Sequence, residues 1–303
     1  MYHVPVMVRE VVEVLEPERG GVYFDGTVGG GGHSEAVLVR GAESRVIAVD
    51  RDPEALAVAA RRLERFGDRV RFARRTFADA AAAVDEPLAG AMLDLGVSSH
   101  QLDEAGRGFS FRPGVRLDMR MSVGAGEPDA AMLLNELTEV ALADVFYRYG
   151  DERRSRRLAA EIVRRRRRRR FETSDDLVAA LRAALGPRLD AQDKARLFQA
   201  LRIAVNRELE DLERALPVLR DRLEPRGVLV VLAYHSAEDR LVKGSFRDWS
   251  RSCVCPPALP ECRCRGRPLG ETLTRRPGRA GAAEVEANPR ARSARLRAWR
   301  KAA

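Results

Sequence analysis

Along the first hundred residues the apolar positions change period repeatedly. VREVVEVL at 8–15 has helical spacing and stops near Pro17. Val22 to Asp25 reads as a strand, and Ser34 to Val39 as a helix opened by Ser34 as its N-cap. VIAVD at 46–50 is a continuous apolar run ending in a carboxylate, the mark of a strand buried on both faces. An alanine-rich helix over 53–66 carries proline in its first turn. A weaker strand over 70–73 and a stronger one over 91–95, AMLDL, complete the series.

This βαβαβ succession predicts a parallel, doubly wound sheet. The alternation then breaks. From about Arg107 to Leu216 only helical patterns appear, over 130–147, 153–170, 174–185 and 192–216. One strong strand returns in VLVVLA at 228–233, followed by a helix over 237–246. The fold class expected is therefore α/β, with an all-helical domain inserted into it. The predicted boundaries are 1–106 for the first part, 107–212 for the insert and 213–303 for the returning part. Beyond Ser252 the chain is rich in Pro, Gly and Arg, and mostly loop is expected there.

At 303 residues with 45% hydrophobic and 33% charged positions, the composition is that of a globular protein rather than a disordered one. No apolar run approaches the roughly 18 residues of a membrane span. The start, MYHVPVMVREVVEVL, has early charge and no small-residue cleavage site. A cytoplasmic address and no membrane partner are expected. The net charge of +9 is unevenly spread: residues 251–303 carry +9 and residues 153–170 carry +10, including the run Arg164 to Arg170. Such blocks suit a polyanion, because each neutralised phosphate releases counterions. A solvated helical face is the plainer reading, and arginine outnumbers lysine throughout.

All four cysteines fall within twelve positions, at 253, 255, 262 and 264. In a cytoplasmic chain this is a poor disulfide framework. Structural zinc usually takes C-x₂₋₄-C pairs, and C-x-C is tighter, so a reduced, exposed loop is the preferred reading and no metal ligand is assigned.

The chemistry concentrates at Asp25 to Ser34, DGTVGGGGHS, a glycine-rich strand-to-helix turn of the kind that approaches a nucleotide closely. A phosphate-binding Walker loop needs a lysine that is absent here. The dinucleotide pattern G-x-G-x-x-G would put Ser34 at its third glycine. S-adenosylmethionine, held by its carboxylate at a helix N-terminus and by its adenosine, fits an acidic residue at 25 followed by Gly29 and Gly31. Asp50, at the end of the second strand, suits both ribose hydroxyls, while Asp52 suits a helix cap before Pro53. These features leave dehydrogenase and methyltransferase both open.

Longer stretches decide. AMLDLGVSSHQLDEAGRGFSF at 91–111, RLDMRM at 116–121, VDRDPEAL, FQALRIAVNRELEDLE, YHSAEDRLVK and NPRARSARLR together resemble the bacterial small-subunit rRNA cytosine-N4 methyltransferases. The resemblance extends from near the first residue to within ten of the last. It implies a Rossmann-like methyltransferase domain with an inserted helical domain for substrate recognition. It implies S-adenosylmethionine as donor and the N4 amine of a decoding-centre cytidine in 16S rRNA, within the small ribosomal subunit or its precursor, as target. The donor would meet Gly31, Gly32, His33, Asp50, Asp94 and Gln101, and Phe77 would stack on adenine. His100 stands where the family often has proline, and Ala237 where it often has leucine.

N4 methylation is an in-line displacement, and orientation at roughly 3–3.5 Å carries much of it. Asp94 and Ser98 are the candidates beside the reacting centre. Asp118, Arg120 and His235 are candidates for substrate contact, with ion pairing and helix capping as their structural alternatives. Arg164 to Arg170 and Arg290, Arg292, Arg295 and Arg297 are candidates for gripping RNA. No cysteine lies in a motif loop, so no covalent thiolate adduct to the pyrimidine is expected. The Pro-Pro-aromatic signature of DNA amino-methyltransferases is missing. The base has to leave its stack unless the rRNA already exposes it.

Overall fold

The structure is a computed structural model, which describes residues 4–97, 105–122, 127–256, 261 and 263–303. Its contacts divide the chain into two units, Met1–Gly96 with Leu209–Ala303, and Val97–Glu208. Among the described residues no helix is long and apolar enough to cross a membrane.

The first unit opens with α1 (Val8–Leu15), β1 (Gly21–Asp25), α2 (Gly32–Arg40), β2 (Ser44–Asp50) and α3 (Pro53–Leu63). It continues with β3 (Val70–Arg74), α4 (Phe77–Ala83) and β4 (Leu88–Asp94). The second unit holds α5 (Ala130–Glu136), α6 (Glu139–Arg148), α7 (Ser155–Arg166), α8 (Ser174–Leu185) and α9 (Ala191–Asn206). Returning to the first unit are α10 (Glu208–Arg222), β5 (Leu223–Ala233), α11 (Ser236–Trp249), β6 (Gly270–Thr272), α12 (Ala282–Ala287) and β7 (Arg295–Lys301).

The seven strands form one sheet in the order β3-β2-β1-β4-β5-β7-β6. β1 to β5 are parallel, and β7 runs antiparallel to both β5 and β6. This is a Rossmann-like α/β sheet whose strand order reverses between β1 and β4. That switch point is where doubly wound sheets open a crevice at the carboxyl ends of their strands. β1, β2, β4 and β5 read as near-continuous apolar runs because both faces are covered. Phe24, Val49, Leu93 and Val231 pack to one side with Leu216 of α10 and Phe246 of α11. Tyr23, Ala48, Met92 and Val230 pack to the other with Val11 of α1, Leu38 of α2 and Leu63 of α3. In the second unit Leu134, Phe146, Leu158, Ile162, Leu181 and Leu201 form a separate helical core.

Several local expectations fail for identifiable reasons. α2 starts two residues before Ser34, with Gly31 (φ +81) as its cap, and Ser34 turns its hydroxyl to Asp25 instead. The pattern over 130–147 is two helices, because Thr138 caps a new one by accepting from the Ala141 N–H at 3.2 Å. Arg207, left-handed at φ 54, separates α9 from α10. The basic helix ends at Arg166 rather than Arg170. The largest miss is β7, a fully sheet-bound strand in a region expected to be loop. Its Leu296, Ala298 and Trp299 are buried, and its Arg297 is carried inside by an ion pair that sequence composition does not reveal.

Candidate functional site

The glycine loop leaves β1 at the switch point and is held from both neighbouring strands. The Gly26 N–H donates to Met92 O on β4 at 3.1 Å, and the Val28 N–H to Val49 O on β2 at 2.8 Å. Gly29 and Gly31 both have positive φ, at 50° and 81°, where other residues are strained. A Cβ on Gly31 would also meet the Ala59 backbone of α3 at 3.3 Å, and one on Gly32 would lie 2.6 Å from Pro5. The glycines are thus required by α2–α3 packing and by the chain's first described residues.

Asp50 sits at the end of β2 with its carboxylate aimed into this loop. Oδ2 accepts from the Gly29 N–H at 3.0 Å and Oδ1 from the Asp52 N–H at 2.9 Å. The Arg51 N–H adds a third backbone contact, and a carboxylate, with about four acceptor sites, still has capacity for a ribose hydroxyl. Burial raises its pKa to about 6 against the lowering pull of those N–H groups. Asp52, as read from the sequence, caps α3 by accepting from the Glu54 N–H.

On the other flank Asp94 ends β4. Its N–H donates to Thr27 Oγ1 at 2.6 Å, and its Oδ1 accepts from the Tyr234 hydroxyl at 2.7 Å. Burial, and next the Asp94 charge, push the Tyr234 phenol well above its ordinary value, so it stays protonated and keeps donating. His33 is 5% exposed, and burial lowers its pKa against the opposing pull of Asp25. It is neutral at pH 7. Its Nε2–H donates to Val6 O at 2.9 Å, which leaves Nδ1 as the acceptor, 3.9 Å from Asp94 Oδ2. Asp25 is buried beneath the loop, accepting from Ser34 Oγ at 2.6 Å and the Thr27 N–H at 3.2 Å. Burial raises its pKa to about 6, and the Asp94 charge adds to that rise.

Three carboxylates therefore surround one glycine loop, and backbone N–H groups of Thr27, Gly29 and Asp52 and the hydroxyls of Ser34 and Tyr234 donate to them. A pyrophosphate would be repelled here. A neutral ribose and a cationic ammonium and sulfonium would be favoured, because acceptor oxygens and negative charge are what the loop offers. The chain's residues thus fit S-adenosylmethionine better than a dinucleotide. Phe77, the first residue of α4, is half-buried, packs against the core, and has its Cβ 2.9 Å from a Cβ built on Gly26.

Other candidates stand elsewhere or play other parts. Ser98, His100 and Gln101 lie outside the described residues. His235 caps α11, its Nδ1 accepting from the Glu238 N–H at 3.4 Å while Glu238 Oε2 accepts from the Tyr234 and His235 N–H groups. In the second unit Asp118 and Arg120 form a two-pronged ion pair at 2.8 and 2.7 Å. The RLDMRM loop carrying them is clamped by buried Asn206 of α9. Asn206 accepts from the Met121 N–H at 2.8 Å and donates to Met119 O at 2.7 Å.

The basic blocks are partly spoken for. Arg164 and Arg165 pair with Glu161, and Arg166 donates to the Leu134 and Leu137 carbonyls. Arg297 is 5% exposed and paired with Asp239 at 2.6 Å, and Arg295 meets the same carboxylate at 3.0 Å. Arg297 is therefore not available to phosphates, and Arg295 is held by the same carboxylate. Arg167 to Arg170, Arg290 and Arg292 are exposed. Sequence reasoning missed Tyr234 and Asn206 as site-shaping residues. A polar residue directly after a buried strand was the available signal for the first. Nothing local marked the second.

The MraW methylase family profile matches residues 1–302. A protein from Gemmatimonas aurantiaca named ribosomal RNA small subunit methyltransferase H is 56% identical, with 99% of this chain and 96% of that protein covered. One of the same name from Heliobacterium modesticaldum is 47% identical, covering 99% and 98%. Among solved structures, an rRNA methylase from Streptococcus thermophilus aligns over 99% of both chains at 12% identity and a TM-score of 0.44, a distant likeness.

Proposed function

The chain belongs to the MraW methylase family, and from that premise we propose that it methylates the N4 amine of a decoding-centre cytidine in 16S rRNA. It is an S-adenosylmethionine-dependent methyltransferase of small-subunit rRNA. The choice of N4, of the decoding centre and of the small subunit or its precursor as the working substrate is the reading advanced here, and a cytoplasmic setting goes with it.

The observation that carries this reading is the convergence of Asp50, Asp25 and Asp94 on the glycine loop at the β1/β4 switch point. When bound, the donor supplies an electrophilic methyl carbon on a sulfonium. Asp50 takes the ribose hydroxyls on the acceptor capacity its backbone donors leave over. Phe77 stacks on adenine. The N-terminus of α2, with Gly31, Gly32 and His33, receives the methionine end, and Gln101 adds to it. Asp94, fixed by Thr27 and Tyr234, orients the donor and offers negative charge as positive charge develops on the attacking amine. Ser98 is assigned beside the reacting centre. We assign substrate recognition to the helical unit, through Asp118 and Arg120, with His235 contributing from the start of α11.

A direct test incubates the purified chain with unmodified small subunits and methyl-labelled donor, then digests the 16S rRNA to nucleosides for mass spectrometry. Label in N4-methylcytidine at one decoding-centre position is the expected result. Label on carbon 5, on a ribose, or only in other rRNA would overturn the assignment.

A further inference from the structure

Between α11 and β6 lies a basic stretch whose described residues have no regular secondary structure and are none of them buried. Even so, the sulfurs of Cys253, Cys255 and Cys264 all lie within 4.8 Å of one another. The two cysteine-bearing segments are tied reciprocally. The Val254 N–H points at Cys264 Sγ at 3.4 Å, and the Arg263 N–H points at Cys255 Sγ at 3.4 Å. Backbone N–H groups aimed at sulfur are the contacts that steady thiolate ligands from outside a metal's coordination shell. The Arg265 guanidinium braces both sides of the stretch by donating to the Asp248, Arg251 and Arg267 carbonyls.

We propose that Cys253, Cys255 and Cys264 bind a structural zinc ion that folds this stretch. Three thiolates are the soft donor set that selects zinc over magnesium or calcium. With Zn–S near 2.3 Å, tetrahedral ligand sulfurs sit about 3.8 Å apart, so a closure of about 1 Å brings the three into place. A fourth thiolate or a water completes the tetrahedron. Cys262 is the remaining cysteine of the sequence and lies outside the described residues. Three thiolates on one zinc leave a net negative charge, which neighbouring Arg251, Arg263 and Arg265 offset. Cys264 Sγ stands 4.0 Å from Ser252 O, a weak S–H contact that metal binding would replace as the thiol gives up its proton.

The C-x-C spacing that argued against a metal in the sequence is compatible with one here. Its two sulfurs come to the same place, and the third ligand arrives from the opposite segment. The inference does not depend on the methyl-transfer reading, because its readout is the metal.

The test is elemental analysis of the full chain purified under reducing conditions without chelator, beside Cys253→Ser/Cys255→Ser/Cys264→Ser. Close to one zinc per chain is expected, falling at least tenfold in the triple variant. Should that variant not fold, two measurements on the natural chain decide. Cobalt(II) added to the metal-stripped protein should give thiolate-to-metal charge-transfer absorption, and chelation should open residues 251–267 to trypsin. Zinc absent and not taken up when supplied, zinc retained by the triple variant, iron in its place, a cysteine disulfide in the intact mass, or cobalt bound without sulfur absorption would each overturn the proposal.

Discussion

Replacing Asp50 by asparagine separates binding from folding at this site. The carboxylate accepts backbone N–H groups, Gly29 and Asp52 among them, and burial holds its pKa near 6. A rise of about two units over an ordinary aspartate corresponds to at most about 3 kcal/mol of cost for the ionised form at neutral pH, less to the extent that water reaches the partly open side chain. Asparagine removes that cost. It also sets an NH₂ against a backbone donor, losing about 1–3 kcal/mol. These effects nearly cancel, so the melting temperature should stay close to that of the natural protein. Donor binding has no such compensation. Losing a charged hydrogen bond to a ribose hydroxyl costs about 1.5–3 kcal/mol, or roughly tenfold to a hundredfold in Kd. Calorimetric titration with S-adenosylhomocysteine measures it. The sign with pH follows from the raised pKa: the carboxylate is present above about pH 6 and lost below it. Affinity should therefore weaken toward about tenfold per unit below pH 6, and the Asn variant should lack that share of the slope. An unchanged Kd in a folded variant, with the same pH profile, would refute the ribose role of Asp50.

Tyr234→Phe removes the 2.7 Å hydrogen bond to Asp94 and should lower methyl-transfer kcat/KM by roughly tenfold or more while the fold persists, measured with labelled donor. Asp25 has its pKa raised to about 6 in the folded chain, so its contribution to stability is greatest at low pH and is lost as pH rises from about 4 through 6; Asp25→Asn should flatten that part of a urea-denaturation series taken across pH. Asp239→Ala strands Arg297, which is 5% exposed, and should cost about 3–5 kcal/mol of unfolding free energy by chemical denaturation. If RNA is gripped by the exposed arginines, Arg290→Ala/Arg292→Ala should shallow the salt dependence of small-subunit binding by about two phosphate contacts, whereas an unchanged slope removes that patch from the interface.

By itself, the amino-acid order settled whatever is encoded within a few residues or by a single period. Continuous apolar runs announced β1, β2, β4 and β5, since a strand covered on both faces has to be apolar at every position. The helical patterns between about Arg107 and Leu216 announced the helices found there. The glycine turn after β1 and the place of Asp50 at the end of β2 were legible because a positive φ and a strand end are local features. Tertiary structure alone decided the rest, because its causes are contacts between distant residues. Tyr234 reaches Asp94 across 140 positions, and Asn206 clamps a loop 85 positions earlier. Arg297 is tolerated in a central strand only through Asp239, 58 residues away, so a run that reads as a solvated basic tail becomes β7. The cysteine sulfurs likewise meet through the path of the loop rather than their spacing. Periodicity encodes which face of an element is buried, and it carries no record of the partner that neutralises a buried charge.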